Sequence, residues 1–105
     1  MIVAVFRSRL DPAAGEDYER TDARMEELAV KMPGYIANKS FTAEDGERLT
    51  LVEFESEETI AAWRTHPEHV EAQRKGRAKF YTEFRLTVCE VLREQRFKRD
   101  AAESP

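Results

Sequence analysis

An α+β domain of the split β-α-β type is what this sequence predicts, and three observations carry the prediction. Strand-like runs open and close the patterned part of the chain, at Met1–Leu10 and within Phe80–Arg93. A long amphipathic helical stripe follows the first run. Two further strand-like runs flank an Asp45-Gly46 pair, which is a hairpin signal.

The first strand is rich in β-formers (Ile2, Val3, Val5, Phe6) and stops at Asp11-Pro12. Helix is expected over roughly Gly15 to Lys31, because Tyr18, Thr21, Met25, Leu28, Ala29 and Met32 recur at three- and four-residue steps. Glu16, Asp17 and Glu19 suit the positive end of its dipole, and Met32-Pro33-Gly34 ends it. Strands follow at Tyr35–Ala43 and Arg48–Phe54. Ser56 can cap a short helix from Glu57 to about Arg64. Thr65-His66-Pro67-Glu68 has the form of a capping box for a second helical piece reaching about Lys79. In the last strand Phe84, Leu86, Val88 and Glu90 alternate with Arg85, Thr87, Cys89 and Val91. Residues 1–93 thus form one domain, and the polar segment Glu94 to Pro105 is expected to fray.

The resulting order, strand, helix, strand, strand, broken helix, strand, is that of a ferredoxin-like β-α-β-β-α-β subunit with a four-stranded antiparallel sheet. Two helical segments cover one sheet face, yet both faces carry apolar residues: Ile2 and Phe6 against Val3 and Val5, Val52 and Phe54 against Leu49 and Leu51. Leaving one face wet forfeits about 25 cal/mol per Å² of apolar surface. A homodimer joined through the open sheet faces, a dimeric α+β barrel, is the expected remedy.

Composition narrows the function. The chain has 105 residues, 41% hydrophobic and 36% charged, with a net charge of −4. An acidic balance without a basic surplus points away from nucleic acid, and Arg74-Lys75-Gly76-Arg77-Ala78-Lys79 reads as a solvated helix face. The longest apolar run, Met1 to Phe6, is far below the roughly 20 residues of a membrane helix. It lacks a preceding basic segment, so no signal peptide is expected. Cys89 is the single cysteine, which excludes an internal disulfide and a four-cysteine metal site, and a cytoplasmic location is expected. The four glycines stand apart, so there is no phosphate-cradling loop.

Candidate chemistry gathers between Trp63 and Arg85. His66 and His69 lie near one helix face, but two histidines leave a metal without a third ligand, and no metal is expected. His66, beside Pro67, reads as a cap or turn residue. His69, Gln73, Gly76 and Phe80 form a stripe that carries an ionisable ring, an amide and a residue without a side chain. Such a stripe either lines a cavity with a few polar contacts or makes local hydrogen bonds in a half-buried helix. Trp63 is either a core plug or a pocket wall, and Tyr81 and Phe84 are candidate walls of an aromatic cavity. Arg85 needs a carboxylate or bound anion if it points inward, and is a solvated edge charge if it does not.

Several stretches together resemble the antibiotic biosynthesis monooxygenase domain family, within the dimeric α+β barrel superfamily. They are Met32-Pro33-Gly34-Tyr35, the Asp45-Gly46 hairpin, Leu49–Glu58 leading into Ile60-Ala61-Ala62-Trp63-Arg64, His69–Arg77, and Phe80–Phe84. The resemblance runs from about residue 2 to 93 and implies the same subunit and dimeric barrel. It also implies a monooxygenase acting without a cofactor on a small electron-rich aromatic or quinone-like substrate. Trp63 matches the family tryptophan. His69, Tyr81 and Arg85 are the implied base, donor and anion partner, with His66, Gln73, Gly76, Phe80 and Phe84 around the substrate. Haem-degrading relatives need a first-strand asparagine and a histidine ten residues after the tryptophan. Here Arg7 or Ser8 and Gln73 stand at those positions, and His69 falls about one turn early, so haem chemistry is not expected. The other reading is a barrel that binds a small aromatic ligand without turnover.

Overall fold

The computed structural model describes residues 1–99. Four strands, β1 (Ile2–Leu10), β2 (Tyr35–Thr42), β3 (Arg48–Phe54) and β4 (Tyr81–Glu90), form one antiparallel sheet in the order β2-β3-β1-β4. Helix α1 (Gly15–Ala29) links β1 to β2. Helices α2 (Glu57–Arg64) and α3 (Pro67–Lys75) link β3 to β4, and α3 runs into a π-helical turn, Gly76–Phe80. This is the expected α+β, ferredoxin-like arrangement, with the second helix broken into two. The polar tail expected from Glu94 lies partly outside the described residues; up to Arg99 it is exposed and makes no helix or strand.

Strand register sets which side chains share a face. Ile2, Ala4, Phe6 and Ser8 stand opposite Phe54, Val52, Thr50 and Arg48 on one side and Glu90, Val88, Leu86 and Phe84 on the other. That face meets the helices. Ala29, Phe54 and Trp63 are buried together there, with Met25, Leu28, Met32, Tyr35, Val52 and Ile60 packed around them. The opposite face presents Val3, Val5 and Arg7 beside Glu53, Leu51 and Leu49 and beside Cys89, Thr87 and Arg85. Cys89 is exposed on it.

The start of α3 differs from the capping box expected at Thr65–Glu68. Pro67 holds the preceding residue extended (φ −58°, ψ 130°), so His66 is the cap, its Nδ1 accepting from the Glu68 amide at 3.2 Å. Thr65 instead donates its hydroxyl back to the Ala61 carbonyl at 2.9 Å, at the end of α2. The capping box belongs to α2: Ser56 Oγ accepts from the Thr59 amide at 3.2 Å, and Thr59 Oγ1 accepts from the Ser56 amide at 3.1 Å.

The basic run around Gly76 is engaged internally. Arg74 pairs with Glu71, Lys75 and Lys79 pair with Asp17, and Arg77 lies over the Phe84 ring. Among the described residues, no helix is long and apolar enough to cross a membrane.

Candidate functional site

The helices do not settle flat on the sheet. Between them and the strands lies a cavity of about 660 Å³, within the ordinary range for a small-molecule site. Ala4 and Phe6 of β1, Val52 of β3 and Phe84, Leu86 and Val88 of β4 form its apolar floor. Leu86 and Val88 stay about half exposed, at 50% and 51%, because they border this space rather than a packed core. Phe6 meets Tyr81 edge-on at 5.3 Å and Phe84 at 5.5 Å, which gives the floor an aromatic corner.

One polar group sits where α2 ends. The His69 ring stacks on Trp63 with centroids 4.1 Å apart and planes 16° from parallel. Its Nδ1 lies 3.0 Å from the Trp63 carbonyl oxygen. A carbonyl only accepts, so Nδ1 carries the proton and Nε2 keeps its lone pair. That carbonyl belongs to the negative end of α2, which fixes the tautomer further. Burial pushes the His69 pKa down, against a smaller upward pull from the Trp63 carbonyl. The ring is therefore neutral at neutral pH. One turn on, Gln73 Nε2 donates to the Arg64 carbonyl at 3.2 Å. Both sequence readings of this stripe hold together: His69 and Gln73 bond to backbone and also line the cavity.

A second polar group joins Tyr81 to three residues not anticipated from the sequence. Tyr18 and Asp22 of α1, Arg48 of β3 and Tyr81 of β4 all line the cavity. Arg48 Nη1 donates to the Tyr18 hydroxyl at 2.6 Å, and its guanidinium carbon lies 5.5 Å from the Tyr18 ring centre. Tyr18 also meets Phe80 and Tyr81 edge-on, at 5.5 and 6.1 Å. Burial, reinforced by Tyr18 and Asp22, pushes the Tyr81 phenol far up, so it stays protonated at neutral pH and has a hydrogen to donate. Burial raises the Tyr18 phenol and the Asp22 carboxyl as well. Alternation along β3 was the available signal: it puts Arg48 on the same face as Val52 and Phe54.

The remaining sequence candidates divide. Phe80 and Phe84 line the cavity beside Trp63, His69, Gln73 and Tyr81. Gly76 is buried behind the wall, where a Cβ would lie 2.9 Å from Tyr81 Cε2, so its lack of a side chain lets the Tyr81 ring seat. His66 caps α3 and does not line the cavity. Arg85 does not either: it pairs in register with Arg7 on the opposite sheet face, because Phe84 and Leu86 occupy the inward positions of β4. Among the described residues, no group of three or more His, Cys, Asp or Glu is placed to hold a metal ion.

Comparison with known proteins agrees with this architecture. Protein YqjZ of Bacillus subtilis is 33% identical over 95 residues, covering 90% of this chain and 83% of its own. The crystal structure of SnoaB, a cofactor-independent oxygenase from Streptomyces nogalater, superposes with a TM-score of 0.73 at 14% identity, over 89% of this chain and 94% of that one. Rv0793 from Mycobacterium tuberculosis superposes with a TM-score of 0.75 at 18% identity, over 89% and 96%. At these identities the two structures speak for the fold alone. The sequence profile described as antibiotic biosynthesis monooxygenase matches residues 1–75, and with the YqjZ match it establishes that the chain belongs to that family.

Proposed function

We propose that the chain is a monooxygenase that oxidises a small electron-rich aromatic substrate in the cavity between helices and sheet. One observation carries this reading. His69 is neutral, its Nδ1–H is committed to the Trp63 carbonyl, and its other nitrogen is left as a base beside an aromatic-lined cavity. The fold it shares with SnoaB, described as a cofactor-independent oxygenase, lends support.

The chemistry follows from the groups present. An anthrone, whose reactive ring methylene lies para to the ring carbonyl, lies on the apolar floor. His69 removes a proton, a task for which a histidine near neutrality is suited. The resulting carbanion, delocalised onto the ring carbonyl oxygen as an aromatic oxyanion, reacts with O₂ at carbon. Reprotonation gives a C–OOH group, and loss of water leaves a carbonyl. One oxygen atom enters the product, the other leaves as water, and the four electrons come from the methylene carbon. Arg48 and the Tyr81 phenol are the cation and donor that suit the oxyanion, the part that sequence reasoning gave to Arg85.

Oxygen consumption with a panel of anthrones and hydroquinones tests the reading. Wild type is expected to consume O₂, and His69→Gln to lose about 10²-fold or more of the rate, the usual worth of a positioned base. No uptake by wild type, or equal uptake by the variant, defeats it. A ligand-binding role without turnover is the second reading, favoured by Arg48 and Tyr81, which offer a ligand a charge and a donor but no base. A raised melting temperature without product is its signature.

The same proposal includes a homodimer through the open sheet face and a cytoplasmic location suited to a free Cys89. Two features favour the dimer. The outer face mixes Val3, Val5, Leu49 and Leu51 with charges of both signs. Beyond β4, Leu92 and Phe97 are 92% and 87% exposed.

A further inference from the structure

Arg48 differs from the ion-paired arginines of the fold. Arg7, Arg9, Arg24 and Arg74 each grip a carboxylate, at 3.0, 2.7, 2.9 and 2.5 Å. Arg48 gives one N–H to a neutral phenol, Tyr18, and stands over that ring. A guanidinium carries five N–H donors, so this leaves most of its donor capacity for something else. Its surroundings are half-buried and line the cavity, where a cation is far more effective than in water.

The charge of the cavity runs against that of the chain. The protein carries −4, yet the lining includes Arg48, Arg64 and Arg77 against Asp22 and Glu57. Asp22 faces Arg48 as well: burial pushes its carboxyl up and Arg48 pulls it back down. On the far side, Tyr18, Asp22 and Arg48 also wall a second hollow of about 580 Å³, whose other ionisable residues are Asp11, Glu19 and Glu26. An anion is repelled there and accepted only from the inner side. Position matters too. Arg48 opens β3 and Phe54 closes it, roughly 20 Å along a strand, and Trp63 packs on Phe54. Arg48 and the Trp63–His69 stack therefore stand toward opposite ends of one apolar-floored space.

We infer that Arg48, seated on Tyr18, is a specificity-determining residue that selects aromatic ligands bearing an acidic oxygen, a phenolate or a carboxylate, and directs that oxygen away from the Trp63–His69 end. Tyr18 is its positioning residue. This assignment rests on the cavity being a ligand site and does not require turnover.

Calorimetric titration of the full chain with two pairs of neutral and acidic ligands tests it. 2-Naphthoate is compared with the isosteric 2-naphthamide, and 2-naphthol with 2-methoxynaphthalene. Wild type is expected to prefer the acidic member of at least one pair by about tenfold, and the pair that responds tells carboxylate from phenol recognition. Arg48→Met is expected to abolish the preference by weakening the acidic member of the pair about tenfold more than the neutral one. Tyr18→Phe is expected to reduce it with Arg48 still present. No preference in wild type in either pair overturns the inference, and that measurement needs no variant. Equal weakening of both members by Arg48→Met overturns it as well, since that marks a purely structural role. The oxygenase reading fails separately: preference without oxygen uptake defeats turnover alone, and uptake without preference defeats Arg48 selection alone.

Discussion

At the scale of single residues, the proposed chemistry depends on His69 being held neutral. Its pKa lies below the ordinary 6.5 because burial penalises the imidazolium. The unfolded chain thus takes up a proton on acidification that the folded chain resists. The stability attached to neutral His69 is complete above about pH 6.5 and is lost progressively as the pH falls below it. Asp22 titrates in the opposite sense, its carboxyl pKa being raised, so the informative quantity is a difference between proteins. Urea unfolding between about pH 7 and 5 is expected to show a steeper loss for wild type than for His69→Gln. Identical slopes contradict a desolvated, neutral His69.

At the scale of elements, the docking of α2 decides where Trp63 sits. The helix is capped by the reciprocal Ser56–Thr59 pair, and Thr59 also presses on the turn that enters β2. Gly34 makes that contact possible. It has φ +82°, and a Cβ built there would lie 2.5 Å from Thr59 Cβ. Gly34→Ala therefore meets a backbone penalty of about 1–2 kcal/mol and an overpacking penalty of about 1–3 kcal/mol. The expected result is a loss of at least about 2 kcal/mol, read as a melting temperature lowered by about 8 °C or more for a chain of this size. An unchanged melting temperature shows that the turn and α2 are not in register as described. The π-helical turn after α3 is a similar local device. It carries the chain from α3 into β4 with Gly76 buried under the Tyr81 ring, and such turns gather at functional sites.

At the scale of the whole molecule, the three helices lie on one face of the sheet and no described helix covers the other. The expected outcome in sedimentation velocity at micromolar concentration is a dimer. Leu92 and Phe97 follow β4 with almost their whole surface exposed, so they are natural contacts for a second copy. Burying a side chain of this kind is worth about 1.5–3 kcal/mol. Phe97→Asp is thus expected to raise the dimer dissociation constant by roughly tenfold or more. A monomeric wild type refutes the paired-barrel proposal, and an unaffected constant in the variant removes Phe97 from the interface.

Periodicity, with turn and cap residues such as Asp45-Gly46, Pro33-Gly34 and Ser56, determined the element order and the apolar character of both sheet faces. Spacing of two and of three to four residues is written in the chain and survives folding unchanged. It also gave the stripe His69–Gln73–Gly76–Phe80, because one helix face is a local property. Tertiary structure decided the rest. Which face of β4 turns inward depends on pairing with β1, and that pairing placed Arg85 outside and Phe84 inside. Tyr18, Asp22, Arg48 and Tyr81 come from α1, β3 and β4, so only the closing of the sheet under the helices brings them together. No spacing rule reaches across 63 residues from Tyr18 to Tyr81, whose rings meet at 6.1 Å. Contacts between elements are fixed by packing, which the linear pattern does not encode pair by pair.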